Sequence, residues 1–320
     1  YMESSGITTA GGALTFGKAG QVANLGGQSV MVGGEVFFQR SSTQTLSTGG
    51  GAINVYGEVI VGNTNGLVVN SGNGDVTFHG TLNAGNSYTY VNKTNDINRN
   101  WDWARTDAKN NTAGGSGVGE SYLVNITSRL ENAIAGLTAN YNGAWIGAYR
   151  SNTGSYAWVW ADGPEANAQF YTQGGSTAAG FYSNFGTGEP NGGLNATRTS
   201  VESVGQFYGA AGGWNDLNHT TTFSASQVSD YAVLGYVRET NLAGSPVTIQ
   251  AGTGTVNLKS NMGTSKAIST LSVTASSTVI NSPIMATSVA QNYTGNLTVN
   301  LGSSDFLVRE GITVKLWHAI

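Results

Sequence analysis

Hydrophobic positions along this chain recur with two different periods. From the start to about Gly85, apolar residues alternate with small polar ones over four to six positions, as in "INVYGEVIVG", "GLVVNSGNG" and "DVTFHGTLNAG". A period of two, broken so often by Gly and Asn, predicts short β-strands rather than helices. The same texture returns after Asn241 in "SPVTIQAGTGTVNLKSNMG", "STLSVTASSTVINS", "GNLTVNLG" and "DFLVREGITVKLW". Gly74–Leu82 and Gly254–Met262 place their apolar residues in the same steps behind a Gly-rich lead-in. Loose repeats with uneven turns and no fixed repeat length fit a β-solenoid, in which each rung covers its neighbour. A β-sandwich is the competing architecture, and the absence of long strands argues against it.

The middle of the chain changes period. "NWDWARTDAKNN" spaces Trp101, Ala104, Arg105 and Ala108 as a helix does, and in "TSRLENAIAGLTANY" Ser128 is a cap with Glu131 three residues on and a Leu130, Ile134, Leu137 stripe. Every tryptophan except Trp317 falls between residues 101 and 214. The fold class expected is therefore mixed: β-solenoid (parallel β-helix-like) flanks at 1–86 and 242–320, with a compact α+β domain inserted at 87–241.

Composition narrows the function. Charged residues are 10% of the chain, Lys and Arg total 14 and the net charge is −4, so the basic stripe a phosphate backbone requires is missing and no nucleic-acid partner is expected. The absence of cysteine excludes disulfides and thiolate metal sites; with so many Gly, Ser, Thr and Asn it suggests an extracellular or cell-surface bacterial protein stabilised by architecture alone. No apolar run nears 18 residues, so no membrane insertion is expected. A start at Tyr1 reads as a processed or excised piece.

From the second helix onward the sequence runs "AWIGAY", "YAWVWADG", "FGTGEPNGG", "VESVGQFYG", "GGWNDL" and "YAVLGYVRE". In this order, the Trp-Ile-Gly strand, the Glu-Pro-Asn loop, the Trp-Asn-Asp turn and the closing Tyr-Val-x-Glu strand resemble the C-type lectin-like domain across roughly residues 87 to 241. That resemblance implies a domain whose first and last strands, "SYTYV" and "GYVRE", pair. It also implies a Ca2+ site at Glu189, Asn191, Glu202, Asn215 and Asp216, a cis peptide before Pro190, and a glycan ligand. Six to eight oxygen ligands suit calcium, and these residues would leave two positions for vicinal sugar hydroxyls. In the family, Glu-Pro-Asn goes with equatorial diols of the mannose, glucose or fucose type, whereas Gln-Pro-Asp goes with galactose. The sequence departs from the family pattern in two ways. Glu202 comes 13 residues after Glu189, which enlarges the loop between them, and the cysteines that usually brace that loop are missing.

Each of these residues also has a plainer reading. Glu189-Pro190-Asn191 alone would be a solvated turn, and Trp145, Trp158, Trp160 and Trp214 are better read as packing than as sugar platforms. His219 could line the sugar pocket or simply face solvent. Asp162 and Glu165, in "DGPEAN", read as solvated loop acids, with an auxiliary metal site as the alternative. His79 sits among solenoid residues with no partner to be named. No nucleophile–base, paired-carboxylate or metal-histidine arrangement emerges, so no enzyme is expected.

The function expected is a calcium-dependent carbohydrate-binding adhesin segment of a large bacterial surface protein, its flanks resembling haemagglutinin-type repeats. The alternative is a structural subunit of an extracellular filament or sheath, a homopolymer formed through solenoid ends. A polysaccharide-active enzyme on a β-helix lacks an acid–base pair. Ice binding would need a regular array that Thr43/Thr45 and Thr253/Thr255 do not supply.

Overall fold

The structure is a computed structural model that describes residues 36–39, 43–140, 142–151, 157–172, 175–192, 202–208, 212–226, 229 and 231–300, together with the backbone of strands at 6–8, 15–16, 29–32 and 313–317. The chain divides into two compact units, residues 1–86 with 242–320, and residues 87–241. The first unit begins with β1 (Gly6–Thr8), β2 (Thr15–Phe16), β3 (Ser29–Val32), β4 (Val36–Phe38), β5 (Gln44–Ser47), β6 (Ala52–Val55), β7 (Val59–Val61), β8 (Leu67–Asn70), β9 (Val76–Phe78) and β10 (Leu82–Ala84). The second contains β11 (Ser87–Asn92), α1 (Trp101–Ala108), β12 (Ser121–Leu123), α2 (Arg129–Thr138), β13 (Ala144–Arg150), β14 (Trp158–Trp160), β15 (Gln169–Tyr171), β16 (Glu202–Tyr208), β17 (Gly213–Asn218) and β18 (Gly235–Thr240). The first unit then resumes with β19 (Val247–Gln250), β20 (Thr255–Leu258), β21 (Ile268–Ile280), β22 (Thr287–Val299) and β23 (Thr313–Trp317).

The first unit is a β-solenoid of parallel strands, as its alternating pattern predicts. The repeat is irregular over the flanks, as expected, with Gly6 opposite Thr45 and Thr15 opposite Met31, but from β3 to β10 it is constant: β5 pairs β8, β6 pairs β9 and β7 pairs β10, and each pairing joins residues 23 apart. The rung after the inserted segment lies 180 residues on, with Leu67 opposite Val247 and Val76 opposite Val256, so Gly74–Leu82 and Gly254–Met262 are neighbouring coils. Later, β21 runs straight through a corner, pairing with β19 along its first half and β20 along its second; its step to β22, which also runs straight through, shortens to 19 and 20, and the next step lengthens again, with Ala290 opposite Thr313. These changes of step are why no single period spans the flanks.

Inward-facing side chains stack from rung to rung. Leu46, Val69, Ile249, Val273 and Tyr293 form one buried column, and Val55, Phe78, Leu258 and Ile280 form another. Each fully buried aliphatic side chain contributes about 1.5–3 kcal/mol, and it does so only while a neighbouring rung covers it. The turn between β7 and β8 takes five residues, Gly62–Gly66. At the next equivalent corner, between β10 and β19, the chain leaves for the whole of the second unit.

The second unit has the α+β architecture expected: two helices, and a sheet in the order β11-β18-β13-β14-β15 with β12 on β18 and the β16–β17 hairpin on β13. Its ends meet, with Ser87 opposite Thr240 in the antiparallel β11–β18 pair. Asn100 caps α1, its side chain accepting from Trp103 N at 3.2 Å, and Trp101, Ala104 and Ala108 face inward. Ser128 caps α2, accepting from Glu131 N at 3.1 Å. Of the predicted Leu130, Ile134, Leu137 stripe of α2, Ile134 alone is fully buried. Asn132, Ile134, Ala135 and Ala139 are buried, while Leu130 and Leu137 are only partly so. Trp145, Trp158, Trp160 and Trp214 are fully buried, as their packing role predicts.

Because β11 and β18 close the second unit on itself, the excised segment Ser87–Asn241 is expected to fold alone. Urea unfolding followed by tryptophan fluorescence and far-ultraviolet circular dichroism should give one coincident cooperative transition; separate or featureless transitions would show that the ends need their solenoid anchors.

Candidate functional site

The stretch from Phe185 to Gly192 is fixed at its base before it reaches the acidic residues. Trp214, in β17, meets Trp160, Phe170, Phe185 and Tyr182 edge to face, at ring-centre distances of 5.9, 5.9, 5.6 and 5.8 Å. Its indole N–H donates to Asn132 Oδ1 at 2.7 Å, and Asn132 Nδ2 donates to Gly212 O at 3.1 Å. The Trp214 backbone straps the incoming chain: Trp214 N donates to Asn184 O and Gly186 N to Trp214 O, each at 2.8 Å. Glu189 N then closes a turn on Gly186 O at 3.0 Å. The Glu189–Pro190 peptide is cis, as the resemblance implies.

Two residues beyond Trp214, on the same side of the strand, Asp216 is fully buried. Its carboxylate accepts the backbone N–H groups of Asn191 and Gly192, each at 3.0 Å. Asn191 turns back on Glu189, with N donating to Oε2 at 3.1 Å and Nδ2 to Oε1 at 3.0 Å. Gly192 sits where no side chain fits: a Cβ there would stand 2.6 Å from Asp216 Oδ2 and 2.7 Å from Glu202 Cβ. Arg150 Nη1 donates to the Gly192 carbonyl.

Burial pushes the Glu189 carboxyl up to about 7, helped by its hydrogen bond with Asp216, the Asp216 charge and, last, Glu202. Glu202, which opens β16, is also raised, by burial and then by Asp216. Among the described residues none of the three acids makes a salt bridge. Crowded carboxylates of this kind are relieved by a proton or by a cation, and an all-oxygen donor set with amides among it suits a hard cation such as calcium.

The fit is partial. Glu189, Asn191 and Asp216 form one group with Glu202 at its border, yet among the described residues no three acidic or histidine side chains meet closely enough to hold a metal ion. Asn215 is buried opposite Gln206, and among the described residues its Nδ2 has no partner. As the strand neighbour of Asp216 it faces the other side of the sheet. His219 is exposed in the turn after β17, one residue past Asn218, which pairs with Glu202. Residues 193–201, the enlarged part of the loop, lie outside the described residues.

Asp162 differs from its sequence reading. It is buried, held by Arg105 through two bonds of 2.6 and 3.0 Å and by Lys109 Nζ at 3.1 Å, so it is neither a solvated acid nor free for an auxiliary metal. Glu165 accepts from Asn125 Nδ2 at 3.1 Å. Three residues that shape the site were not singled out from the sequence: Gly192, whose signal was the glycine pair after Asn191; Asn132, an amide on the inward face of a helix; and Arg150, which carried no signal.

Among solved structures, the cow C-type carbohydrate-recognition domain of CD23, determined in the presence of GlcNAc2Man3 oligosaccharide, is similar at 19% identity, covering 48% of this chain and 84% of that one with a TM-score of 0.30. The human scavenger receptor C-type lectin carbohydrate-recognition domain is 18% identical over 49% of this chain and 91% of that one, TM-score 0.31. Human lithostathine is 15% identical over 48% and 82%, TM-score 0.29. No protein-family profile and no curated protein matches the chain.

If Asp216 is what folds the loop end against β17, Asp216→Ala should free the Asn191 and Gly192 amides while leaving the aromatic core intact. Hydrogen exchange read by mass spectrometry should lose protection at 190–192 by at least roughly tenfold, matching the ~1.5–3 kcal/mol of bonds to a charged acceptor. Unchanged protection there would place the restraint elsewhere.

Proposed function

We propose that the second unit binds glycans through the Glu189–Asn191 loop with the help of calcium, as part of an extracellular adhesin. The observation that supports this reading is the anchoring of the loop by Asp216, which sets a carboxylate and an amide side by side at Glu189 and Asn191 in a cluster that, among the described residues, has no cationic partner. A sugar hydroxyl is both donor and acceptor, and such a pair can satisfy it in both roles. Calcium would be held by Glu189, Asn191, Glu202 and Asp216, and would supply two open positions for a vicinal diol. Asn215 would join only by turning its amide outward, and His219 is exposed where it could border a bound sugar. The preference for mannose-, glucose- or fucose-type diols follows from the resemblance carried by Glu-Pro-Asn. On this reading the protein is a binding module and not an enzyme.

On a glycan array, wild-type protein should give a mannose- or fucose-type signal with calcium that falls at least roughly a hundredfold in chelator, the loss expected when about 2.7 kcal/mol of binding goes. Glu189→Gln with Asn191→Asp should abolish that signal. No calcium-dependent signal from wild type would sink the reading even with the fold correct.

Calcium alone provides a second check. At a hundred times its dissociation constant it should stabilise the lectin-like unit by about 2.7 kcal/mol, raising its fluorescence-detected midpoint by roughly 5–10 °C. Glu189→Gln should show no such shift; an equal shift in the variant would place the ion elsewhere.

A further inference from the structure

One corner of the solenoid carries a column of hydrogen-bonding side chains. The residues directly after the inward-facing Val55, Phe78, Leu258 and Ile280, and after Val299, are Tyr56, His79, Lys259, Asn281 and Asn300. The strands before them are in parallel register. Backbone bonds carry that register round the corner: His79 N to Val55 O at 2.7 Å, Lys259 N to Phe78 O at 2.9 Å, Asn281 N to Leu258 O and Asn300 N to Ile280 O at 2.8 Å. Five side chains therefore leave one edge at steps of about 4.8 Å.

Tyr56, Lys259, Asn281 and Asn300 are exposed and His79 is half-buried. The Tyr56 and His79 rings stack at 4.2 Å between centres, 7° from parallel. Their faces thus point along the column, and their edges lie across it. Burial and then the Lys259 charge hold the imidazole below its ordinary value, so it is neutral at pH 7 and keeps one N–H. Among the described residues Lys259 makes no ion pair. Asn300 Nδ2 donates to Asn281 Oδ1 at 3.1 Å, which fixes the last two amides.

We propose that this column binds a linear polyanionic polysaccharide laid along the solenoid. The rungs hold a phenol, an imidazole N–H, an ammonium and amides in one line, and the ring stack and the amide pair order four of the five side chains before a chain of repeating acceptors binds. The single unpaired ammonium selects a chain bearing carboxylates or sulfates. Because four of the five positions are neutral, the column suits anionic groups interspersed with hydroxyls better than a phosphate at every residue. This site is independent of the calcium loop.

Binding of the full chain to polygalacturonate and to heparin, measured in chelator at low salt, tests it, with dextran and single-stranded DNA as comparisons. Saturable binding to either anionic polysaccharide, above dextran and DNA, is expected; which of the two is preferred distinguishes carboxylate from sulfate. Lys259→Gln and Tyr56→Ala should each weaken it about fivefold, the effect of roughly 1 kcal/mol. Lys259→Arg and Glu189→Gln should leave it unchanged, which separates this site from the lectin reading. Circular dichroism checks folding, and Lys259→Gln alone decides if Tyr56→Ala fails to fold. Equal binding by wild type and Lys259→Gln, preference for DNA, or no binding to either anionic polymer would overturn the proposal.

Discussion

The geometry of the lectin-like unit hangs on Trp214. Its ring is held by an amide acceptor on one helix and by aromatic edges from β14, β15 and the loop itself, so it has one place to be. Its backbone, bonded on both sides to the 184–186 segment, transfers that fixity to the chain entering the proline loop. The next residues on the same strand then receive the loop's far end. A glycine-rich segment with no disulfide bracing would otherwise keep much of its backbone entropy, about 1–2 kcal/mol per residue. Here an indole, an amide and one buried carboxylate remove it.

The solenoid works under a different constraint. No rung is stable unless its neighbour presents matching residues at the same depth, so register matters more than the identity of any residue. That explains how a corner can be opened between Asn86 and Leu242 without disturbing the stack: Val76 still meets Val256 and Leu67 still meets Val247. The inserted unit has paired ends, so the corner needs only to deliver and collect two adjacent strands.

Much of this was legible because it is local. Alternation gave the strands, and caps at Ser128 and helical spacing at Trp101 gave the helices. The motifs in order gave the lectin-like fold. Even the 23-residue rung is written in "GGEVFF", "YGEVIV" and "HGTLNA", but only two successive intervals carry it before the insertion and later shortening blur it. What was not legible depends on distant partners. Asp162 sits in a sequence that reads as a solvated turn, and it is buried because Arg105, 57 residues earlier, meets it with two bonds. Asn132 lies on the buried face of α2 beside Ile134, where its amide accepts from the Trp214 indole, 82 residues later. The depth of Asn215 follows from strand alternation beside Asp216, which a motif read as a string does not convey.

Charge usage gives the last reason to single out the loop. This chain spends few ionised residues, and elsewhere in the second unit two of its buried or half-buried acids meet cations. Asp162 has Arg105 and Lys109, and Asp107 has Lys93 and the Tyr236 hydroxyl. At the proline loop the fold does the reverse. It brings Glu189 against Asp216 and sets Glu202 alongside, answering them with backbone N–H groups and an amide but, among the described residues, no cation. Neutral donors orient carboxylates without cancelling their charge, so repulsion between them persists in the folded state and appears as the raised Glu189 and Glu202 carboxyls. A fold that meets Asp162 and Asp107 with lysine and arginine leaves Glu189, Glu202 and Asp216, among the described residues, with neutral donors alone.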